Sequence, residues 1–247
     1  MIAESLARHG SWFFRWRSYV LLGFVPLILL AIAGPEPIEA TFGEFVDSSY
    51  EAFCIAIACS GLMIRALTVG FVPSGTSGRN THRQIADALN TTGIYSLTRN
   101  PLYLGNAVSI MGIALFTQSL TVILVMLLFL VIYLERIIAA EEAYLSAKFG
   151  DAYLDWARRV PVFLPGLGGW QRPSLPLSLR TVLRREHSSM LAVLAPLFVI
   201  DQARDVIAAR AMVVDTAWLA AFATALALYL TLVWMKKRTR LLHVPGR

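Results

Sequence analysis

The chain has 247 residues, of which 57% are apolar and only 15% are charged. Soluble domains carry about 25% charged residues, so this composition excludes an ordinary soluble domain and predicts a protein whose solvent is mostly lipid. The net charge of +6 comes from short basic segments between apolar runs, which membrane topology explains without a nucleic-acid partner.

Apolar runs dominate the chain, and a helix that crosses a hydrocarbon core of about 30 Å needs about 20 such residues. The sequence predicts six spans, at residues 19–33, 52–72, 101–116, 120–138, 188–207 and 213–235. The fifth carries Asp201, Arg204 and Asp205 in its last turns, where the three side chains can pair with one another; a re-entrant segment is the alternative. The predicted fold class is therefore an all-α, polytopic transmembrane helical bundle with cytosolic interfacial helices.

Two further features limit what the chain can bind and how it begins. Cys54 and Cys59 lie in one apolar run, where neither a disulfide framework nor a metal site finds enough ligands, so we predict no metal. The first apolar run follows basic residues, as in a signal peptide. It reaches Pro35 without a small-residue cleavage site, so we expect a retained first helix.

Charges between the spans predict the orientation, because Lys and Arg concentrate on the cytoplasmic side of a membrane. The segment 34–51 contains only acidic charged residues and should lie outside. Segments 73–100 and 139–187 and the tail after residue 235 are rich in Arg and Lys. Six spans with both termini in the cytoplasm satisfy every segment.

The two long cytosolic segments should hold the chemistry, because loops of this length are disproportionately functional. The first is Gly- and Ser-rich from residue 73 and then predicts a short polar helix at about 82–89. The second begins as an amphipathic helix suited to the membrane interface. Its Gly- and Pro-rich run at 164–173 is interpreted as a linker to the last two spans.

A first motif, residues 92–105, joins the first cytosolic loop to the third span. Pro101 suits the first helical position and Asn100 suits the cap. A helix N-terminus offers free N–H groups and a partial positive charge, which favour a bound carboxylate. The alternative is that Asn100 and Pro101 only cap a transmembrane helix and that Tyr103 is an interfacial anchor.

A second motif follows about 35 residues later, where the fourth span delivers charged side chains to the cytosolic surface. Glu135 and Arg136 precede the end of the apolar run, and charge at membrane depth favours a polar site. Carboxylates bind amino and hydroxyl groups, and Arg136 can bind an anion bidentately. For Glu141 and Glu142, a solvated helix face is the alternative.

Together the two motifs resemble the isoprenylcysteine carboxyl methyltransferase and phospholipid methyltransferase family, over residues 93–165. In the first element the matching residues are Arg99, Pro101, Tyr103 and Gly105; in the second they are Glu141, Glu142, Phe149, Gly150 and Tyr153. Asn100 stands where the family usually has His. Asn can donate a hydrogen bond but cannot titrate near neutral pH.

The resemblance implies a cytosol-facing pocket for S-adenosylmethionine and a lipid or lipidated acceptor that arrives from the bilayer. The implied cofactor-binding residues are Tyr95, Asn100, Pro101, Tyr103, Gly105, Glu141 and Glu142. Arg136, Arg99 and Asn100 are the candidate catalytic residues, and Arg65 and Arg136 are candidates for binding the acceptor. Arg65 can equally be a snorkelling residue, and packing is the alternative for Gly105, which shares a helix face with Ser109 and Gly112.

The acceptor class follows from the residues available. The matched segments supply arginines but no histidine, which suits an anionic oxygen, such as a carboxylate or a phosphate, better than an ammonium that must first lose a proton. Three alternatives remain: a phospholipid amine N-methyltransferase, an NADPH-dependent membrane reductase and a non-catalytic lipid-binding protein.

The sequence also predicts how the chain is divided into segments. Residues 1–92 form two spans and a loop, residues 93–165 form the methyltransferase-like core, and residues 166–247 form a linker and two spans.

Overall fold

The computed structural model describes residues 12–13, 15–16, 19–34, 36–73, 86–166 and 168–247. Within these ranges the chain is helical and forms no strand, which confirms the predicted all-α class. After a 3-10 turn, Val20–Phe24, the helices are α1 (Val25–Ile32), α2 (Pro37–Phe42), α3 (Glu44–Gly70), α4 (Pro101–Phe116), α5 (Leu120–Phe149), α6 (Asp151–Arg159), α7 (Leu179–Ala209) and α8 (Thr216–Arg238).

Four stretches are long and apolar enough to cross a membrane: Val20–Phe42, Glu44–Gly70, Leu120–Phe149 and Thr216–Arg238. They account for the first, second, fourth and sixth predicted spans. The third corresponds to α4, whose 16 residues fall short of the about 20 that a span requires. The fifth corresponds to α7, which is long enough but is not among these four stretches.

α7 begins nine residues before the predicted fifth span and is continuous from Leu179 to Ala209. At about 1.5 Å per residue, its 31 residues give a rod longer than a hydrocarbon core of about 30 Å. The charged residues near each end are therefore well placed to lie at the two polar surfaces. Pro196 lies within the helix and does not end it.

The segment that was predicted to be the first cytosolic loop is described only in part. Of the predicted polar helix at 82–89, residues 82–85 lie outside the described residues. Residues 86–89 are described and are not helical. The amphipathic helix after the fourth span is in fact two elements. Gly150, at φ 54°, ends α5 and precedes α6, and this left-handed backbone is one that glycine adopts without strain.

The end of the bundle opposite α6 is acidic, and we call it the acidic end. Arg204 of α7 is 6% exposed and forms ion pairs with Glu36 (3.6 Å) and Glu51 (3.8 Å). Gln118 donates to Asp47 across 2.6 Å. Arg204 thus binds carboxylates from other elements rather than its helix neighbours Asp201 and Asp205, which both accept from Gln202. The prediction that Asp201, Arg204 and Asp205 pair with one another is therefore wrong, because each of the three binds residues outside this set.

Three of these carboxylates, from Glu36, Glu39 and Asp47, have oxygen atoms within 4.8 Å of one another. Two of the three already serve other contacts, because Glu36 pairs with Arg204 and Asp47 accepts from Gln118. The arrangement is therefore explained by the ion-pair network, and the absence of a metal site stays a prediction.

α3 and α4 pack closely along a face of small residues. A Cβ atom on Gly105 would lie 2.7 Å from the Gly61 carbonyl oxygen and 2.7 Å from Cγ of Arg65. Ser109 Oγ donates to the Ala58 carbonyl across 2.8 Å, and Gly112 also faces Ala58. The structure thus gives Gly105, Ser109 and Gly112 a packing role, the alternative that the sequence left open for Gly105.

We expect Gly105→Val to destabilise the protein by about 1–3 kcal/mol, because the added carbon atoms force two closely packed helices apart. Gly23→Val is a matched control, since a Cβ at Gly23 meets no atom within 4 Å. Thermal unfolding in detergent measures both variants. Equal unfolding midpoints for the two would show that the α3–α4 contact tolerates the extra volume.

Candidate functional site

The segment that precedes α4 is held in place by the segment that follows α6. Three backbone hydrogen bonds, each 2.9 Å, join residues 93–100 to residues 160–171: Gly93 N to Gln171 O, Arg99 N to Pro161 O and Gly166 N to Leu97 O. Gly93 and Gln171 also form an isolated antiparallel β-bridge. The run interpreted as a linker is therefore docked against the first motif. These bonds also cross the predicted boundary at residue 165.

Two side chains strengthen this docking. Thr98, which is fully buried, donates its hydroxyl to the Phe163 carbonyl across 2.8 Å. Asn100 donates from Nδ2 to the Val162 carbonyl across 2.9 Å and is 8% exposed. Asn100 occupies the cap position of α4 as predicted, but its side chain does not cap the helix. Its amide instead fixes the neighbouring segment.

The two motifs meet through two side-chain pairs. The Tyr103 hydroxyl donates to Glu141 Oε2 across 2.9 Å, and Arg99 Nη1 lies 3.1 Å from Glu142 Oε1. Both carboxylates lie in the last turns of α5, whose 30 residues extend about 15 Å beyond a hydrocarbon core of about 30 Å. The pairs therefore belong to the polar surface of the bundle, at the end that we call the site end.

Four buried polar atoms at the site end make no hydrogen bond of good geometry among the described residues: Arg99 Nε, Glu142 Oε1, Tyr153 Oη and Trp156 Nε1. Tyr153 nevertheless lies close enough to Arg99 and Glu142 to interact with both. The close approach of Arg99 to Glu142 is an ion pair without hydrogen-bond geometry. Unsatisfied buried groups cost about 1–3 kcal/mol each. Such a concentration is therefore typical of a site that a polar ligand completes.

α6 supplies two of these groups and was interpreted from sequence only as an interfacial helix. Tyr153 is 3% exposed and Trp156 is 5% exposed, and their ring centroids lie 5.7 Å apart. They pack against Leu89, Tyr95 and Leu145. Burial raises the pKa of Tyr153 to about 12, with the Glu142 carboxylate acting in the same direction and Arg99 opposing it. Tyr153 is therefore a neutral donor at physiological pH.

A second polar cluster lies beside the first and is centred on Arg65. This side chain donates from Nε (2.7 Å) and Nη2 (2.9 Å) to the two carboxylate oxygens of Glu186, and from Nη1 to Asn106 (2.7 Å). Burial, together with nearby Glu141, raises the pKa of Tyr95, whereas Arg185 and Arg65 oppose the shift. All three nitrogens of the Arg65 guanidinium thus bind protein groups. To contact an acceptor, as the sequence predicted, Arg65 would have to give up part of its ion pair with Glu186.

The structure therefore unites part of the predicted site. Arg99, Tyr103, Glu141 and Glu142 meet at the site end, with Tyr95 packed against the same α6 cluster. Pro101 is fully buried at the start of α4, and Gly105 faces α3. Arg136 is half-buried on α5, five residues before Glu141 and about 7.5 Å from it along the helix axis. Trp156 and Glu186 are the residues that sequence reasoning missed.

Comparison with known proteins agrees with this geometry. Residues 50–152 match the phospholipid methyltransferase family, so the resemblance predicted from the two motifs is confirmed. That range contains α4, α5 and the residues that pair Tyr103 with Glu141 and Arg99 with Glu142. No solved structure matches this chain.

Three curated relatives share parts of the sequence. The protein-S-isoprenylcysteine O-methyltransferase of Schizosaccharomyces pombe is 29% identical over 125 residues, 49% of this chain and 52% of that protein. A nickel-cobalt-cadmium resistance protein of Alcaligenes xylosoxydans xylosoxydans is 39% identical over 79 residues, covering 32% and 37% of the two chains. A cobalt-zinc-cadmium resistance protein of Cupriavidus metallidurans is 37% identical over 81 residues, covering 33% and 37%. The chain thus spans between about a third and a half of these relatives.

Proposed function

We propose that this chain, whose segment 50–152 matches the phospholipid methyltransferase family, is an integral membrane methyltransferase that uses S-adenosylmethionine and modifies an anionic oxygen on a lipid-borne acceptor. The observation that carries the proposal is the meeting of the two motifs at the site end. There, four buried polar atoms make no hydrogen bond of good geometry among the described residues. We further propose that the site end and both termini face the cytoplasm.

The chemistry of these groups fits the proposed cofactor. Glu142 offers a carboxylate oxygen to an ammonium or hydroxyl group, whereas Arg99 Nε, Tyr153 and Trp156 offer donors to a carboxylate or a ring nitrogen. Glu141 is held by the Tyr103 hydroxyl, which orients its carboxylate. When bound, the cofactor would supply an electrophilic methyl group on its sulfonium. An acceptor oxygen would bond to the methyl carbon in line as the carbon–sulfur bond breaks, with the neutral thioether as the leaving group.

The residues of the chain then have to position the acceptor and exclude water rather than activate a nucleophile. A carboxylate or phosphate is already anionic at pH 7, so no general base is required. This agrees with Asn100, whose amide donates to the Val162 carbonyl and cannot accept a proton. Arg136, half-buried on α5, is the residue that we propose to hold the acceptor anion.

The acceptor class is tested by incubating purified protein with methyl-labelled S-adenosylmethionine and total membrane lipid, then identifying labelled lipids by mass spectrometry. We expect the label in a base-labile methyl ester or a methyl phosphodiester. Label found solely on the nitrogen of phosphatidylethanolamine would contradict the anionic acceptor while leaving the methyltransferase activity intact.

The same assay tests the role of Arg136. Lysine keeps the positive charge but loses the bidentate fork, so Arg136→Lys should raise the acceptor KM or lower kcat by about tenfold with cofactor affinity unchanged. Arg158→Lys is the matched control, because Arg158 is 76% exposed on α6. Equal activity of the two variants would remove Arg136 from the acceptor site.

A further inference from the structure

A basic cavity lies between α7 and the C-terminal end of α8, and none of its lining residues belongs to the candidate active site. Its volume is about 440 Å³, and it is lined by Arg184, Lys236, Thr239, Arg240, Leu242 and His243. Three of the six residues are cationic, one is a histidine and none is acidic. Nη1 of Arg184, from α7, lies 3.4 Å from Nδ1 of His243 in the tail. Because a guanidinium can only donate, Nδ1 of His243 accepts in this contact. Two elements far apart in sequence therefore meet at the cavity.

The cavity is preformed, because the chain after α8 is fixed by its own contacts. His243 N donates to the Arg240 carbonyl across 2.9 Å, and Leu242 is 5% exposed. Arg247 Nη1 donates to the carbonyl oxygens of Pro176 (2.6 Å) and Gly70 (3.0 Å). A preformed site binds its ligand without the entropy loss of ordering a tail.

The surroundings of the cavity place it at the depth of lipid headgroups. α8 is one of the four helices able to cross a membrane, and it ends at Arg238. Trp234, one turn earlier, is 59% exposed, and Leu241, between the lining residues Arg240 and Leu242, is 61% exposed. Exposed Trp at the end of a span is typical of the membrane interface, and the exposed Leu241 side chain offers acyl chains an apolar group to contact.

We propose that this cavity binds the phosphate group of an anionic lipid headgroup. A phosphate offers several acceptor oxygens to the Arg184 and Arg240 guanidinium groups, which bind it bidentately, and to His243. Its negative charge relieves the repulsion between cationic side chains that the fold holds together. Basic cavities between membrane helices are known to take such headgroups. The site does not depend on the proposed methyl transfer.

The excess of Lys and Arg on one side of a membrane protein offers a simpler account of these charges. The chain itself provides the comparison that separates the two accounts. Lys237 and Arg238 are exposed, lie at the same end of α8 and do not line the cavity. Lys237→Gln/Arg238→Gln therefore removes the same charge as Arg184→Gln/Arg240→Gln while leaving the cavity intact.

Binding is measured on the full chain in neutral detergent, with dihexanoyl phosphatidic acid, dihexanoyl phosphatidylcholine and inorganic phosphate as probes. We expect saturable binding of phosphatidic acid, with Kd raised about tenfold or more in Arg184→Gln/Arg240→Gln and by no more than about twofold in Lys237→Gln/Arg238→Gln. Arg240→Gln alone, at an exposed position, provides a variant whose folding is not at risk and should raise Kd by about fivefold.

Equal weakening in the two double variants would overturn the proposal, because it would reduce the effect to general surface charge. Phosphatidic acid binding no better than phosphatidylcholine would also overturn it. Inorganic phosphate that binds as tightly as phosphatidic acid would contradict the lipid source of the ligand. Weak displacement by phosphate, at concentrations far above those of the lipid, supports a headgroup held by both its phosphate and its acyl chains.

Discussion

Glu186→Leu should destabilise the protein by about 3–5 kcal/mol, because it leaves the buried guanidinium of Arg65 without its counter-charge. The two side chains are only 10% and 6% exposed and form a bidentate pair with nitrogen–oxygen distances of 2.7 and 2.9 Å. Thermal unfolding in detergent should show a fall in the midpoint on the order of 10 °C.

The double variant Arg65→Met/Glu186→Leu distinguishes the contribution of the ion pair itself from the cost of leaving the Arg65 charge buried without a partner. Well-packed apolar residues often replace a buried ion pair without loss, so the double variant should recover most of the stability. Asp155→Leu is the control, because its pair with Arg158 is exposed and should contribute no more than about 1 kcal/mol. A double variant as unstable as Glu186→Leu would show that Glu186 acts through contacts other than Arg65.

The same double variant also tests the sequence-based role of Arg65. If Arg65 only stabilises the bundle, restored stability should be accompanied by restored activity. Restored stability with lost acceptor binding would instead support contact between Arg65 and the acceptor, as the sequence suggested.

Glu142→Gln should weaken binding of S-adenosylmethionine by about ten- to a hundredfold, since a hydrogen bond to a charged group contributes about 1.5–3 kcal/mol. Glutamine keeps the size and one acceptor oxygen but loses the charge that faces Arg99. Isothermal titration calorimetry on detergent-purified protein measures the dissociation constant. The unfolding midpoint of each sample confirms that the variant is folded.

Glu135→Gln is the matched control for this experiment. Glu135 lies on the same helix, two turns before Glu142, and is exposed, so its replacement should leave cofactor affinity unchanged. If Glu142→Gln binds the cofactor like the wild type, or if both variants lose affinity alike, Glu142 has no specific cofactor role.

Local sequence signals were sufficient for the helices and for the two motifs. α4 runs from Pro101 to Phe116, as predicted, because a proline at the first position and a long apolar run define it without help from the rest of the chain. The other predicted spans overlap the observed helices but differ from them at one or both ends, and α3, α5 and α7 are longer than predicted. Hydropathy finds the lipid-soluble part of a helix, whereas α3 begins in acidic residues at Glu44 and α5 continues through Glu141 to Phe149.

Some of the missed boundaries carried readable capping signals. Ser178 accepts a hydrogen bond from Thr181 N and begins α7 ahead of the predicted span. Asp215 accepts from the backbone N–H groups of Ala217 and Trp218 and begins α8. Both are typical N-cap residues, so attention to caps rather than to hydropathy would have located these helix starts.

The remaining features depend on contacts between distant segments, for which a single sequence contains no local signal. Glu186 lies 121 residues from Arg65, and the pair exists only because α3 and α7 pack together. The docking of residues 160–171 onto the first motif also depends on distant contacts. The Gly- and Pro-rich composition of this segment is typical of a linker, and the sequence was interpreted in that way. Trp156 was visible as part of an amphipathic helix, but its burial against Tyr95 required the fold.

The most direct test of the proposed function is which cofactor the wild-type protein binds. Calorimetric titration of detergent-purified protein with S-adenosylmethionine and, separately, with NADPH distinguishes a methyltransferase from a membrane reductase and from a lipid-binding protein without catalysis. We predict saturable binding of S-adenosylmethionine with one site per chain and no binding of NADPH. Binding of NADPH alone, or of neither compound, would contradict the proposal.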